Sequence, residues 1–290
     1  MISAYKIKRK ELLNSLYSEF NFRSRLSEDP IEFLYQYPNP GEMEIAAFLS
    51  STLAFGRINL FKPVIRKILD MGRGDLIQFI LDFNPSKDRK LFNHVYYRIW
   101  TGADLVCLIA GLKNILFRYG SLRNLFLKNY HPDHADLEET MIRVSEEFLN
   151  FNPAEIYGVN QFTRSFKYFL PSPGSGSACK RFCLFLRWMV RKDDLDPGTW
   201  TAIEPSKLII PVDTHIFRVA RFLKLTRLKT VNWKMAKEIT QNLKEIDPAD
   251  PLKFDFPLCH FSIRGVCLAR KPAELCPLCA GRKKCYFKSL

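Results

Sequence analysis

The sequence has no apolar run approaching the roughly 20 residues that a membrane-spanning helix needs. Its opening, MISAYKIKRKELLNSLYSEF, is basic, but no apolar stretch leads to a small-residue cleavage site, so it does not read as a secretory signal. Alternating apolar and polar residues are nearly missing: HVYYRIW, residues 94–100, is the one stretch with strand character, and it is short. There is no internal repeat and no low-complexity tract. Together these absences argue against a membrane protein, a secreted protein, a repeat array and a sheet-based fold. Acidic residues are also in short supply, with 30 Asp and Glu against 44 Lys and Arg, for a formal charge of +14. The imbalance is uneven, because residues Thr201–Leu290 carry 17 basic and 8 acidic side chains. Such an excess fits either a plain solvated face or an anionic partner such as DNA, RNA or a membrane surface.

What is present is a chain of 290 residues, 47% of them apolar, enough for one large or two modest domains with a real core. EMEIAAFLSSTLAF, INLFKPVIRKILDMG, DLVCLIAGLKNILFRYG, LEETMIRVSEEFLN and CKRFCLFLRWMVRK all repeat apolar residues at three- and four-residue intervals. Glycine and proline mark the joints, as at Pro38–Gly41, Gly72, Gly120 and Pro171–Gly176. The pattern predicts an all-α fold. Polar stretches at 170–181 and 192–207 suggest a domain crossing there. The expected division is a helical domain over 42–192, with 1–41 and 193–290 forming a second. A soluble, cytoplasmic monomer is the expectation.

Three segments carry possible chemistry. In LPSPGSGSACKR, residues 170–181, Gly174 and Gly176 flank Ser175 just before a periodic helix. Two glycines permit a tight turn, and the unpaired N–H groups of the helix behind them suit one phosphate. A plain connector reads the same way. In IPVDTHIFRV, residues 210–219, Val212, Ile216 and Val219 share one helical face. Asp213 therefore falls at the helix start, where a simple N-cap explains it, and His215 reads as a structural hydrogen-bonding side chain. Near the end, CLARKPAELCPLCAGRKKC places Cys267, Cys276, Cys279 and Cys285 among Arg270, Lys271, Arg282, Lys283 and Lys284. In a reducing compartment such clustered thiols bind metal, and four thiolates suit tetrahedral zinc or a [4Fe–4S] cluster. Of the eight cysteines, Cys107, Cys183 and Cys259 read as ordinary buried thiols.

These motifs, in this order, resemble the helix-hairpin-helix (HhH-GPD) DNA glycosylases, and endonuclease III in particular. PVDTHIFRV is similar to that superfamily's aspartate segment and LPSPGSGSACKR to its hairpin. Cys267–Cys285 resembles its iron–sulfur loop, and EIAAFLSSTLAFGRIN its early helix with the turn that wedges into the DNA stack. The subgroup most similar is an uncharacterised bacterial family of the DUF2400 type. The resemblance implies two helical domains with a cleft between them and a [4Fe–4S] cluster on Cys267, Cys276, Cys279 and Cys285, with zinc as the alternative. It also implies double-stranded DNA as partner and Asp213 as the catalytic carboxylate. Gly174, Ser175, Gly176, Ser177, Lys180, Ser51, Thr52, Arg270 and Lys271 would then touch DNA, and Phe55, Trp188 or Trp200 would line a base pocket. The implied activity is base-excision repair by hydrolysis of an N-glycosidic bond; a non-catalytic protein recognising distorted DNA is the alternative. Two departures stand out. Ser175 replaces an apolar hairpin residue, and Ala178 stands where bifunctional relatives carry a Schiff-base lysine. Lys180, two helical positions further on, would point about 200° away. A monofunctional glycosylase is therefore expected, together with an insertion around residues 191–207.

Overall fold

The computed structural model describes residues 4–72 and 74–263. Among them the protein is mostly helical and contains no β-strand, only the isolated bridges Tyr97–Trp100 and Lys192–Pro197. HVYYRIW is thus a turn rather than a strand, too short to find a partner. No single helix among the described residues is long and apolar enough to cross a membrane.

Helix α1 spans Ala4–Ser18 and α2 spans Pro40–Leu53. Asn39 starts α2 by accepting hydrogen bonds from the Gly41 and Glu42 amides, and Pro40 occupies the first turn, where its missing N–H costs nothing. Every side chain from Glu44 to Leu53 is buried, so α2 runs through the middle of the core. Around it lie α3 (Ile58–Asp70), α4 (Leu76–Asp82), α5 (Gly102–Tyr119), α6 (Leu122–Lys128) and α7 (Glu138–Phe148). A reciprocal Thr101–Asp104 capping box opens α5, and Gly120, at φ 77°, closes it.

A second core helix, α8 (Lys180–Val190), buried from Arg181 onward, packs along α2. After a long excursion come α9 (Thr214–Phe222), α10 (Trp233–Lys244) and α11 (Asp255–Ile263), with α9 against α11 and α1 beside α11.

Two buried polar centres join these parts. Glu44 on α2 accepts hydrogen bonds from the Leu122 and Arg123 amides at the start of α6 and from the Trp200 indole at 3.0 Å. Burial pushes this carboxyl up to about 7, although those same donors favour its ionised form. Arg187 of α8 pairs with Asp196 and with Asp255 of α11, and Arg191, just past the end of α8, pairs with Asp193, Asp196 and Asp250. The stretch expected to be an insertion is therefore stapled to the end of α8, and its acids share with Asp250 and Asp255 the neutralisation of two buried arginines.

Candidate active site

The site begins where α8 begins. Ser172 caps a short turn, Pro173–Ser175, by accepting from the Gly174 amide, and Gly176 follows at φ 77°. A side chain there would meet no steric obstacle, so the left-handed backbone is what calls for glycine. Gly174, Ser175 and Gly176 are exposed and Ser177 is partly so. The Gly176 carbonyl accepts from the Trp233 amide at 3.1 Å, which ties this turn to the start of α10.

Cys179 is the next departure from regular backbone. It is buried and sits at φ 49°, a left-handed conformation uncommon in residues other than glycine. This kink makes Lys180 the first residue of α8, so no continuous helix relates Lys180 to Ala178. The sequence expectation that Lys180 faces away is corrected for that reason. Its Nζ lies 3.1 Å from Oδ2 of Asp213, with the two side chains 39% and 19% exposed.

Asp213 precedes α9 and uses its oxygens separately. Oδ1 accepts from the His215 and Ile216 amides, both at 2.9 Å, as an N-cap, while Oδ2 faces Lys180. Burial opposes its ionisation, but the Lys180 ammonium and the cap hold the carboxyl below the usual range. Lys180 is shifted the other way: despite partial burial, Asp213 keeps its ammonium charged to higher pH. The pair is a fixed carboxylate–ammonium contact, and water can reach both ends.

Two further groups feel this pair. Asp29 is raised by burial, and the Cys259 thiol of α11 is driven well above its ordinary value by burial next to the charges of Asp213 and Asp255. His215 has a buried Nδ1 without a hydrogen-bond partner. Neither Asp29 nor Cys259 carried a motif. Only the fold brings residues 29, 180, 213 and 259 together.

Other expected site residues fall elsewhere. Ser51 and Thr52 are buried in the last turn of α2, which continues to Leu53, so they cannot touch DNA directly. The exposed residues of the following turn are Gly56 and Arg57. Trp188 and Trp200 are fully buried core side chains rather than pocket walls, whereas Phe55 is half-buried. Cys267, Cys276, Cys279, Cys285, Arg270 and Lys271 lie outside the described residues.

Fold and site together define a basic, all-α protein with an acid–amine pair between the starts of two helices, one of them behind an exposed glycine turn. The chain belongs to the family described as a protein of unknown function, DUF2400, which matches residues 29–264. That match takes in Asp29, Lys180, Asp213 and Cys259. No curated protein and no solved structure matches the chain.

Proposed function

We propose that this protein is a base-excision DNA glycosylase on an HhH-GPD-like scaffold, hydrolysing the N-glycosidic bond of a damaged or mispaired base turned out of duplex DNA. The observation that carries the reading is the water-accessible Asp213–Lys180 pair, whose lysine lies four residues beyond the exposed Gly174–Gly176 turn. Rupture of an N-glycosidic bond leaves positive charge on the sugar. An ionised carboxylate beside the sugar lowers the energy of that charge. Because its pKa is lowered, Asp213 is a weak proton acceptor near neutral pH, so its main contribution is electrostatic, with orientation of the attacking water second. Lys180 keeps Asp213 ionised and fixes its rotamer. The exposed turn at Gly174–Gly176 would lie against the DNA backbone, and the surplus of basic side chains would hold duplex DNA irrespective of sequence.

Cys267, Cys276, Cys279 and Cys285 supply the donor set for a [4Fe–4S] cluster or zinc, whose contribution would be to fold the basic loop around it. Base release needs no chemistry from that group.

One observation favours a second reading, a non-catalytic protein recognising distorted DNA: both oxygens of Asp213 already have partners. Asp213→Asn separates the two. On the enzyme reading the variant binds duplex DNA normally and loses base release by at least about a hundredfold, within the range for removing one preorganised electrostatic group. Release assays over a panel of lesion-bearing duplexes measure this. Release unchanged by the substitution would reduce Asp213 to a helix cap.

A further inference from the structure

A broad groove opens where α3 gives way to α4 and to the short turns Pro85–Asp88 and Arg89–Phe92. Its volume is about 1030 Å³, at the upper limit for small-molecule pockets, so a stretch of polypeptide fits. None of its lining residues belongs to the elements that carry Lys180, Asp213 or Cys259. Gly72 sets its shape. A Cβ there would meet Leu76 Cδ2 at 2.5 Å and Leu76 Cα at 3.2 Å, so glycine lets α4 turn back close to the end of α3. Each wall brings both an apolar side chain and an acid. The end of α3 contributes Met71 and Asp70. From α4 and its caps come Phe79 and Phe83 with Asp75 and Asp82, and the turns beyond supply Leu91 and Asp88. Phe83 is buried edge-on against Phe79 and Phe92, and Met71 and Phe79 are half-buried, so apolar side chains make the floor. Asp70, Asp75 and Asp82 are exposed on the rim, and Leu91, 41% exposed, forms a lip.

The rim keeps its negative charge. Asp75 caps α4 through the Gln78 amide, Asp82 accepts from the Gln78 side chain at 2.9 Å, and Asp88 accepts from the Asn84 amide. Two cations of α3, Lys62 and Arg66, pair with Glu32 instead, and among the described residues none of the four acids is in an ion pair. Lys67 and Lys87 also line the groove, so acids outnumber lysines four to two along its walls, while Lys113 donates to the Phe83 carbonyl. Asp70 and Asp82 are the last residues of α3 and α4, where the helix dipole is already negative. Aspartate has the wrong sign for a helix end, and breaking that local preference twice around one groove marks a functional surface. An acidic rim turns nucleic-acid phosphate away. Although the chain has a formal charge of +14, screening over about 8 Å leaves a docked segment facing mainly the charges of the groove itself.

We propose that this groove docks a basic amphipathic helix of a partner protein, its apolar face on Met71, Phe79 and Phe83 and its Lys or Arg side chains against the acidic rim. The inference stands apart from the base-excision reading. Its test is fluorescence polarisation of the full chain with a labelled probe peptide about four helical turns long, leucine on one face and lysine on the other. The probe should bind saturably, and the same peptide with glutamate in place of lysine should not. Asp70→Lys with Asp82→Lys should weaken binding of the lysine probe at least about tenfold, because like charges then meet. Both positions end helices, where lysine is favoured, so the double variant should melt no lower than wild type. Leu91→Ala should weaken the probe roughly threefold by removing part of the apolar contact. Phe117→Ala, at an 86% exposed residue near the end of α5, should change nothing. A double variant that holds the lysine probe as well as wild type overturns the proposal, as does wild-type protein that binds neither peptide or both. Self-association of wild type in the ultracentrifuge that the double variant loses would make the occupant a second copy of this chain, and overturns it too.

Discussion

At the scale of single residues, Asp213 does two things at once, capping α9 with one oxygen and holding Lys180 with the other. The consequence for Lys180 is chemical. An amine forms a Schiff base only when unprotonated, and Asp213 keeps this one charged to higher pH than usual. Borohydride trapping of wild-type protein on an abasic duplex should therefore give no covalent adduct. An adduct that disappears in Lys180→Ala would show instead that DNA binding frees the amine and that the protein is also a lyase. Asp213 was legible in the sequence because an acid just ahead of a periodic apolar run marks a helix start. The position of Lys180 was not, since helical projection assumes regular backbone from Ala178 onward and Cys179, at φ 49°, breaks it. No residue type announces a left-handed cysteine.

At the scale of elements, periodicity located the helices well, and the length of α2 decided which residues of EIAAFLSSTLAFGRIN could be exposed. Likeness to a turn suggested Ser51 and Thr52; α2 runs on through both to Leu53 and buries them. Glu44, in the same helix, had no motif either. It reads as one polar interruption of an apolar run, and only the start of α6 and the Trp200 indole explain it. Its carboxyl titrates near 7 in the folded chain against about 4.3 in an unfolded one. Between those values the folded state holds a proton that the unfolded state has released. The stabilisation is complete below about pH 4 and is lost as pH rises through about 7. Urea unfolding of wild type should therefore weaken by roughly 3 kcal/mol over that window relative to Glu44→Gln. Parallel curves for the two proteins would mean that Glu44 stays ionised throughout.

At the scale of the whole molecule, the proposed cluster is open to direct test. A chain of formal charge +14 that also carries four clustered thiols should be purified anaerobically as a brown protein with about four irons per chain. Metal analysis and the visible spectrum check this. Stoichiometric zinc without iron would leave the loop structural and remove the cluster from the account. All-α architecture was legible from composition and period alone. The convergence of residues 29, 180, 213 and 259 was not, because it depends on how α8, α9 and α11 pack rather than on any local pattern.

The two arginines at the end of α8 and just past it bear on how the polypeptide can be divided. Arg187 and Arg191 belong to one side of the 193–207 excursion, whereas Asp250 and Asp255 arrive some sixty residues later. Severing the chain inside that excursion, beyond Asp196, and producing the fragments separately would leave Asp250 and Asp255 of the second fragment without their arginines. The second piece should then fail to fold alone, and mixing the two should restore a single cooperative melt.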